Sequence, residues 1–142
     1  MELQVGVKAI ARNKEGKYLL LHRSAKKYPG TNGTWDIVGG RINAGTSLLE
    51  NLIREISEEI GLAYSGTPHL IAVQDIFPKS GDRHVVRLTY IIDLHGTPKL
   101  DMEENDDFRW VSKEEFLKWP DLDWYLKELL QGGALEKYFE SQ

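Results

Sequence analysis

The sequence predicts an α/β sandwich, with helices on both sides of a mixed sheet. Three observations carry that expectation. Runs with strand alternation stand on both sides of one amphipathic helical stretch that ends at Gly61, and further helical stretches close the chain. The length of 142 residues, 41% of them hydrophobic and 28% charged, suits one ordinary core and is too short for two. No internal repeat or linker interrupts it, so residues 1–142 read as a single domain.

Taken in order, Leu3 to Ala11 alternates as a strand, with Val5, Val7 and Ala9 on one face. Asn13-Lys14-Glu15-Gly16 has turn chemistry and Lys17 to His22 follows as a second strand, so the two form a hairpin. Tyr28 to Gly33 reads as a loop, and Trp35 to Val38 as a short buried strand ending at Gly39-Gly40. Ser47 with Glu50 makes a capping-box pattern for the central helix. Leu49, Leu52, Ile53, Ile56 and Ile60 recur at helical spacing as its buried stripe, and Gly61 is its stop. His69 to Phe77 and His84 to Leu94 are long strands around the turn Pro78 to Asp82. Gly96 to Asp107 is an acidic surface loop and Phe108 to Val111 one more short strand. Ser112 with Glu115 caps a helix, Leu122 to Leu130 is another, and Gly132-Gly133 breaks it before a short tail.

Composition excludes several functions. No cysteine is present, which removes disulfides, zinc–thiolate sites and thiol nucleophiles. A net charge of −4 speaks against a stable nucleic-acid partner, since a phosphate backbone is usually met by a basic surface. Nucleotides stay open, because their phosphates arrive with metal ions. The longest apolar runs, such as Tyr18 to Leu21, are too short to span a bilayer. Met1 to Gln4 shows no basic segment followed by an apolar one, so the expected setting is cytoplasmic.

The chemistry concentrates on the central helix. Glu55, Glu58 and Glu59 fall at i, i+3 and i+4 and share a helix face. Carboxylates that close repel one another and raise each other's pKa unless a cation lies among them. A divalent metal is the natural remedy. With no histidine or cysteine at ligand spacing, hard oxygen donors favour Mg²⁺ or Mn²⁺. His22, His69, His84 and His95 read as ordinary strand or surface residues.

Gly40, Arg54, Glu55, Ile56, Glu58, Glu59, Gly61 and Leu62 match the Nudix box, G-x5-E-x7-R-E-U-x-E-E-x-G-U, without a gap. The chain therefore resembles a MutT-like Nudix hydrolase, and the likeness covers most of it. Thr46 stands where the box carries glutamate, and Val38 where proline commonly precedes the Gly-Gly pair. In the family that glutamate resembles a structural partner of the box arginine, so its loss should loosen the hold on Arg54. The Thr46 hydroxyl can still help cap the helix.

The resemblance implies a Nudix-like α/β/α sandwich and metal-dependent hydrolysis of a diphosphate bond in a nucleoside diphosphate linked to another moiety. It implies Glu55, Glu58, Glu59 and the Gly39 carbonyl as metal ligands, with Mg²⁺ or Mn²⁺ as cofactor. Glu55 and Glu58 would be catalytic, Glu104 in the acidic loop is the candidate base, and Gly40, Arg54 and Gly61 are structural. Arg23 and Arg41 are candidates for substrate phosphates. Trp35, Asp36, Trp119 and Asp121 resemble the base-binding elements of oxidised-purine nucleotide hydrolases, which makes an 8-oxo-dGTP-type diphosphatase the alternative enzyme. A nucleotide-binding module without hydrolysis is the third reading. The implied partner is a nucleotide-type small molecule, and the family leaves room for a homodimer.

Overall fold

In the computed structural model, which describes residues 1–29 and 33–142, one mixed sheet is covered on both faces. Its strands are β1 (Glu2–Arg12), β2 (Tyr18–Arg23), β3 (Trp35–Asp36), β4 (Val38–Arg41), β5 (His69–Ile76), β6 (Arg83–Asp93) and β7 (Asn105–Val111). The helices are α1 (Leu48–Ile60), α2 (Lys113–Lys118), α3 (Trp124–Gln131) and α4 (Ala134–Glu140). β1 runs parallel to β6 from Glu2↔Arg83 to Arg12↔Asp93 and antiparallel to β4, while β2 pairs antiparallel with β3 and β7. β1 and β2 share only the hairpin base, Arg12↔Tyr18, and then diverge.

The apolar run in β2 is what a strand covered on both faces requires. Leu19 and Leu21 join Val7, Ala9 and Ala11 under α1, whose Leu52, Ile56 and Ile60 complete that layer. Tyr18 and Leu20 join Ile10 and Ile91 on the opposite face, beneath Phe116, Leu126, Leu130 and Leu135 of α2, α3 and α4. The expected α/β/α sandwich is thus present.

Several boundaries differ from expectation, each for a local reason. Ile37 separates two strands where one was expected, so Asp36 pairs with β2 and Val38 with β1. The buried stripe of α1 is narrower: Leu52, Ile56 and Ile60 are sealed, but Leu49 and Ile53 are 42% and 37% exposed. The sheet touches only the i, i+4, i+8 line, and Asn51 is buried beside it. Ser47 caps α1 by accepting from the Glu50 N–H, whereas the reciprocal capping box occurs only at Ser112–Glu115 among the described helices. The acidic loop ends sooner, because Asn105 to Asp107 already pair with β2. The tail after Gly132-Gly133 is α4, held by Leu135 in the core. Gly61 stops α1 as expected, in the left-handed conformation with φ 65°, its N–H returning to the Ser57 carbonyl. The loop expected from Tyr28 to Gly33 includes Gly30, Thr31 and Asn32, which lie outside the described residues. Among the described residues no helix is long and apolar enough to cross a membrane.

Candidate active site

α1 lays its acidic face along one wall of a cleft of about 730 Å³. Glu55, Glu58 and Glu59 line that wall together with Gly39, Gly40 and Arg41 of β4. Close approach requires Gly40 to lack a side chain, since a Cβ there would stand 2.7 Å from the Glu55 carboxylate. Arg54 binds the acids from behind: Nη1 donates to Glu55 Oε1 at 3.0 Å and to Glu58 Oε2 at 3.1 Å. Its Nη2 donates to the Arg41 carbonyl and to Asn51 Oδ1, each at 3.0 Å. The hold on Arg54 is therefore not loose, as Thr46 had suggested, because a buried amide one turn earlier supplies an acceptor.

Glu59 faces inward. The Gly39 N–H donates to its Oε2 at 2.7 Å and Asn105 Nδ2 to its Oε1 at 3.4 Å, so Gly39 meets this carboxylate through its amide. Burial pushes the Glu59 pKa up to about 7, against the pull of Lys8 and of the Gly39 N–H. Burial also raises Glu55, which Arg54 opposes.

The donor set fits a hard divalent ion: three carboxylates on one wall, with no softer ligand among them. Among the described residues, no three acidic or histidine side chains converge closely enough to hold an ion as they stand. The Arg54 guanidinium donates to both Glu55 and Glu58 and supplies a balancing charge. Glu58, its side chain 60% exposed, has room to turn from it.

Glu104 also lines the cleft, where it accepts from Lys27 and, at 3.1 Å, from the Tyr28 hydroxyl. The floor is an ion network that sequence reasoning largely missed. Arg87, 5% exposed, donates to Asp123 Oδ2 at 3.0 Å and to Asp36 Oδ1 at 3.2 Å. Arg23 donates to Asp36, Asp123 and the Gly33 carbonyl, and Lys8 Nζ lies 3.2 Å from Asp36. Burial alone would raise the Asp36 pKa, but Lys8, Arg87 and Arg23 outweigh it and hold the carboxyl well below the usual range. The available signal was strand parity: Lys8 and Arg87 are charges inside alternating strands.

Of the sequence candidates, Arg23, Asp36, Arg41 and Glu104 thus reach the cleft with the box residues, although Asp36 is consumed by its cations. Trp35, Trp119 and Asp121 do not line it. Adjacent strand residues point to opposite faces, so with Asp36 turned to the cleft Trp35 turns away. Its ring packs on His22 and, edge to face at 5.5 Å, on Trp119. Asp121 turns back on its own loop, accepting from Gly33, from Thr34 N and from the Thr34 hydroxyl. Asp123, two residues on, is the acid that reaches the floor, and it also caps α3.

The chain is similar to known proteins in sequence and in fold. The family described as NUDIX domain matches residues 2–131. The chain is 29% identical over 116 residues to the CTP pyrophosphohydrolase of Escherichia coli K12, covering 82% of each protein. The crystal structure of the MutT protein from Methanosarcina mazei Go1 superposes with a TM-score of 0.79 at 27% identity, covering 96% of both chains. The solution structure of the E. coli ORF135 protein does so with a TM-score of 0.78 at 28% identity, covering 100% of this chain and 94% of that one. Similarity of this extent, reaching from the first strand to the third helix, makes the chain a member of the Nudix family and a Nudix hydrolase.

Proposed function

We propose that this Nudix hydrolase is a Mg²⁺- or Mn²⁺-dependent pyrophosphohydrolase that cleaves a nucleoside triphosphate to the monophosphate and pyrophosphate. The observation that carries the reaction is that Glu55, Glu58, Glu59 and Glu104 line one cleft. Nudix hydrolases use a divalent metal and act on nucleotide-like substrates. Glu55, Glu58 and Glu59 would hold the metal here. When bound, such an ion neutralises phosphate oxygens and lowers the pKa of an attacking water.

The remaining work falls to the protein's own groups. Arg54 fixes the directions of Glu55 and Glu58. The Gly39 N–H and Asn105 fix Glu59, and Lys8 offsets the charge that Glu59 gains on losing its proton. Glu104 takes the proton of the water, and as it does so Lys27 and Tyr28 hold its carboxylate in place. Arg41 and Arg83, at the cleft rim, meet the outgoing phosphates. Arg23 is committed to Asp36 and Asp123, so its part is to support the floor.

The triphosphate is preferred because the relative covering most of this chain hydrolyses CTP by name. The oxidised-purine reading is less favoured, since Trp35, Trp119 and Asp121 lie off the cleft. A nucleoside diphosphate joined to another group is the second reading, favoured by a volume of about 730 Å³ that leaves space beyond two phosphates. The cytoplasmic setting fits either substrate.

A panel of nucleoside triphosphates and diphosphate conjugates, assayed with Mg²⁺ and resolved by product, tests the proposal. Monophosphate and pyrophosphate from a triphosphate are expected; inactivity on every triphosphate would overturn the substrate. Glu58→Gln should lower kcat by about 10²- to 10⁴-fold. An unchanged rate in that variant would remove the catalytic assignment of Glu58, whereas a parent that binds nucleotides and hydrolyses none would be a binding module.

A further inference from the structure

We propose that Asn51 is a positioning residue of the active site, which takes through its side-chain amide the place left by the missing glutamate at position 46. Asn51 is fully buried, at 0% exposure, although it is polar and sits beside the apolar line of α1. A buried amide is costly unless its hydrogen bonds are made. Here all of them are. Oδ1 accepts from the Asn43 N–H at 2.9 Å and from Arg54 Nη2 at 3.0 Å. Nδ2 donates to the Thr46 carbonyl at 3.1 Å and to the Ser47 carbonyl at 2.6 Å. The oxygen meets two donors and the nitrogen two carbonyls, so a flipped amide would lose all four bonds.

Those bonds have a direction. They run from the loop Asn43–Ser47 through Asn51 to the guanidinium of Arg54, and from there to Glu55 and Glu58. A leucine at 51 would occupy the space without accepting from Arg54. Thr46 is two hydrogen bonds from the guanidinium, and Arg54 Nε is buried without a partner among the described residues. That unmet donor leaves the guanidinium able to donate to one more acceptor. Thr46 and Asn51 are thus read together: the acceptor for Arg54 has moved from the loop onto the helix. Asn51 touches no reacting atom and acts through Arg54. Its effect on activity rests on the function proposed above, whereas its effect on the carboxylates does not.

The test measures Mn²⁺ binding to the full chain by electron paramagnetic resonance, alongside the Mg²⁺ concentration for half-maximal hydrolysis. Asn51→Ala should weaken Mn²⁺ binding about 10- to 100-fold, the usual cost of removing a group that orients metal ligands. Asn51→Asp keeps an acceptor towards Arg54 but sets its other oxygen against the Thr46 and Ser47 carbonyls, so it should bind Mn²⁺ less tightly than the parent and more tightly than Asn51→Ala. Adding Thr46→Glu to Asn51→Ala should recover at least about tenfold. A folded Asn51→Ala protein that melts earlier yet binds Mn²⁺ as before would overturn the proposal, as would an Asn51→Asp that loses as much as Asn51→Ala. If Asn51→Ala alone does not fold, the double variant decides, and binding more than about tenfold below the parent counts against it. Mn²⁺ binding is read without turnover, so a parent inactive on every nucleotide would sink the proposed function while this test still gave its answer.

Discussion

At the scale of a single residue, Glu59 is the carboxyl of the cleft that burial shifts most clearly. Its carboxyl is raised to about 7 by burial, so in the metal-free fold it keeps a proton that the unfolded chain releases near pH 4.5. The fold then binds more protons than the unfolded state between these values. The stability this contributes is complete below about pH 4.5 and is lost as pH rises to about 7. With metal removed by EDTA, the melting temperature of the parent relative to Glu59→Gln should fall across that window. Parallel curves would show that Glu59 is ionised in the free protein. The difference between the two proteins isolates this group from carboxylates shifted the other way, Asp36 among them. A bound cation favours the ionised form, so added Mg²⁺ should flatten the fall.

At the scale of elements, the decisive contact is between β4 and α1. The Glu55 carboxylate occupies the space where a side chain on Gly40 would begin. In Gly40→Ala the obstructed atoms are the end of a flexible side chain, which can yield. Unfolding free energy should therefore change by less than about 1 kcal/mol. The displaced carboxylate should nonetheless cost about 10²-fold in kcat, as ångström-scale misplacement of an acting group does. Denaturant unfolding and steady-state rates on the same preparation check this, and a stability loss matching the loss of rate would refute it. This pair of elements was legible beforehand, because helix spacing, the glycine stop and the box are local patterns. The edges of that reading failed where burial is decided by the partner. Leu49 and Ile53 have the right chemistry for the core, but the sheet does not reach them. Asn51 had no place in the expected stripe, yet it is sealed by the loop that folds over it.

For the molecule as a whole, the ion network under the cleft joins strands and a helix distant in sequence. Arg87 reaches Asp123 and Asp36 across 36 and 51 positions, and Arg23 reaches Asp123 across 100. Such pairings have no period, which is why Arg87 and Asp123 escaped the sequence reading while Glu55 and Glu58 did not. Arg87→Met should cost about 3 kcal/mol by leaving two buried carboxylates short of a cation. Denaturant titration at pH 7 measures it, and a loss below about 1 kcal/mol would mean that Lys8 and Arg23 suffice. The parallel pairing of β1 with β6 has a further consequence, in time rather than space. Its partners lie 81 positions apart, from Glu2↔Arg83 to Arg12↔Asp93. On the ribosome the strand made first waits for one made much later, and the wall bearing Gly39 and Gly40 hangs on that same strand. The cleft, lined by residues from Gly6 to Tyr125, is complete only once that whole stretch has been made.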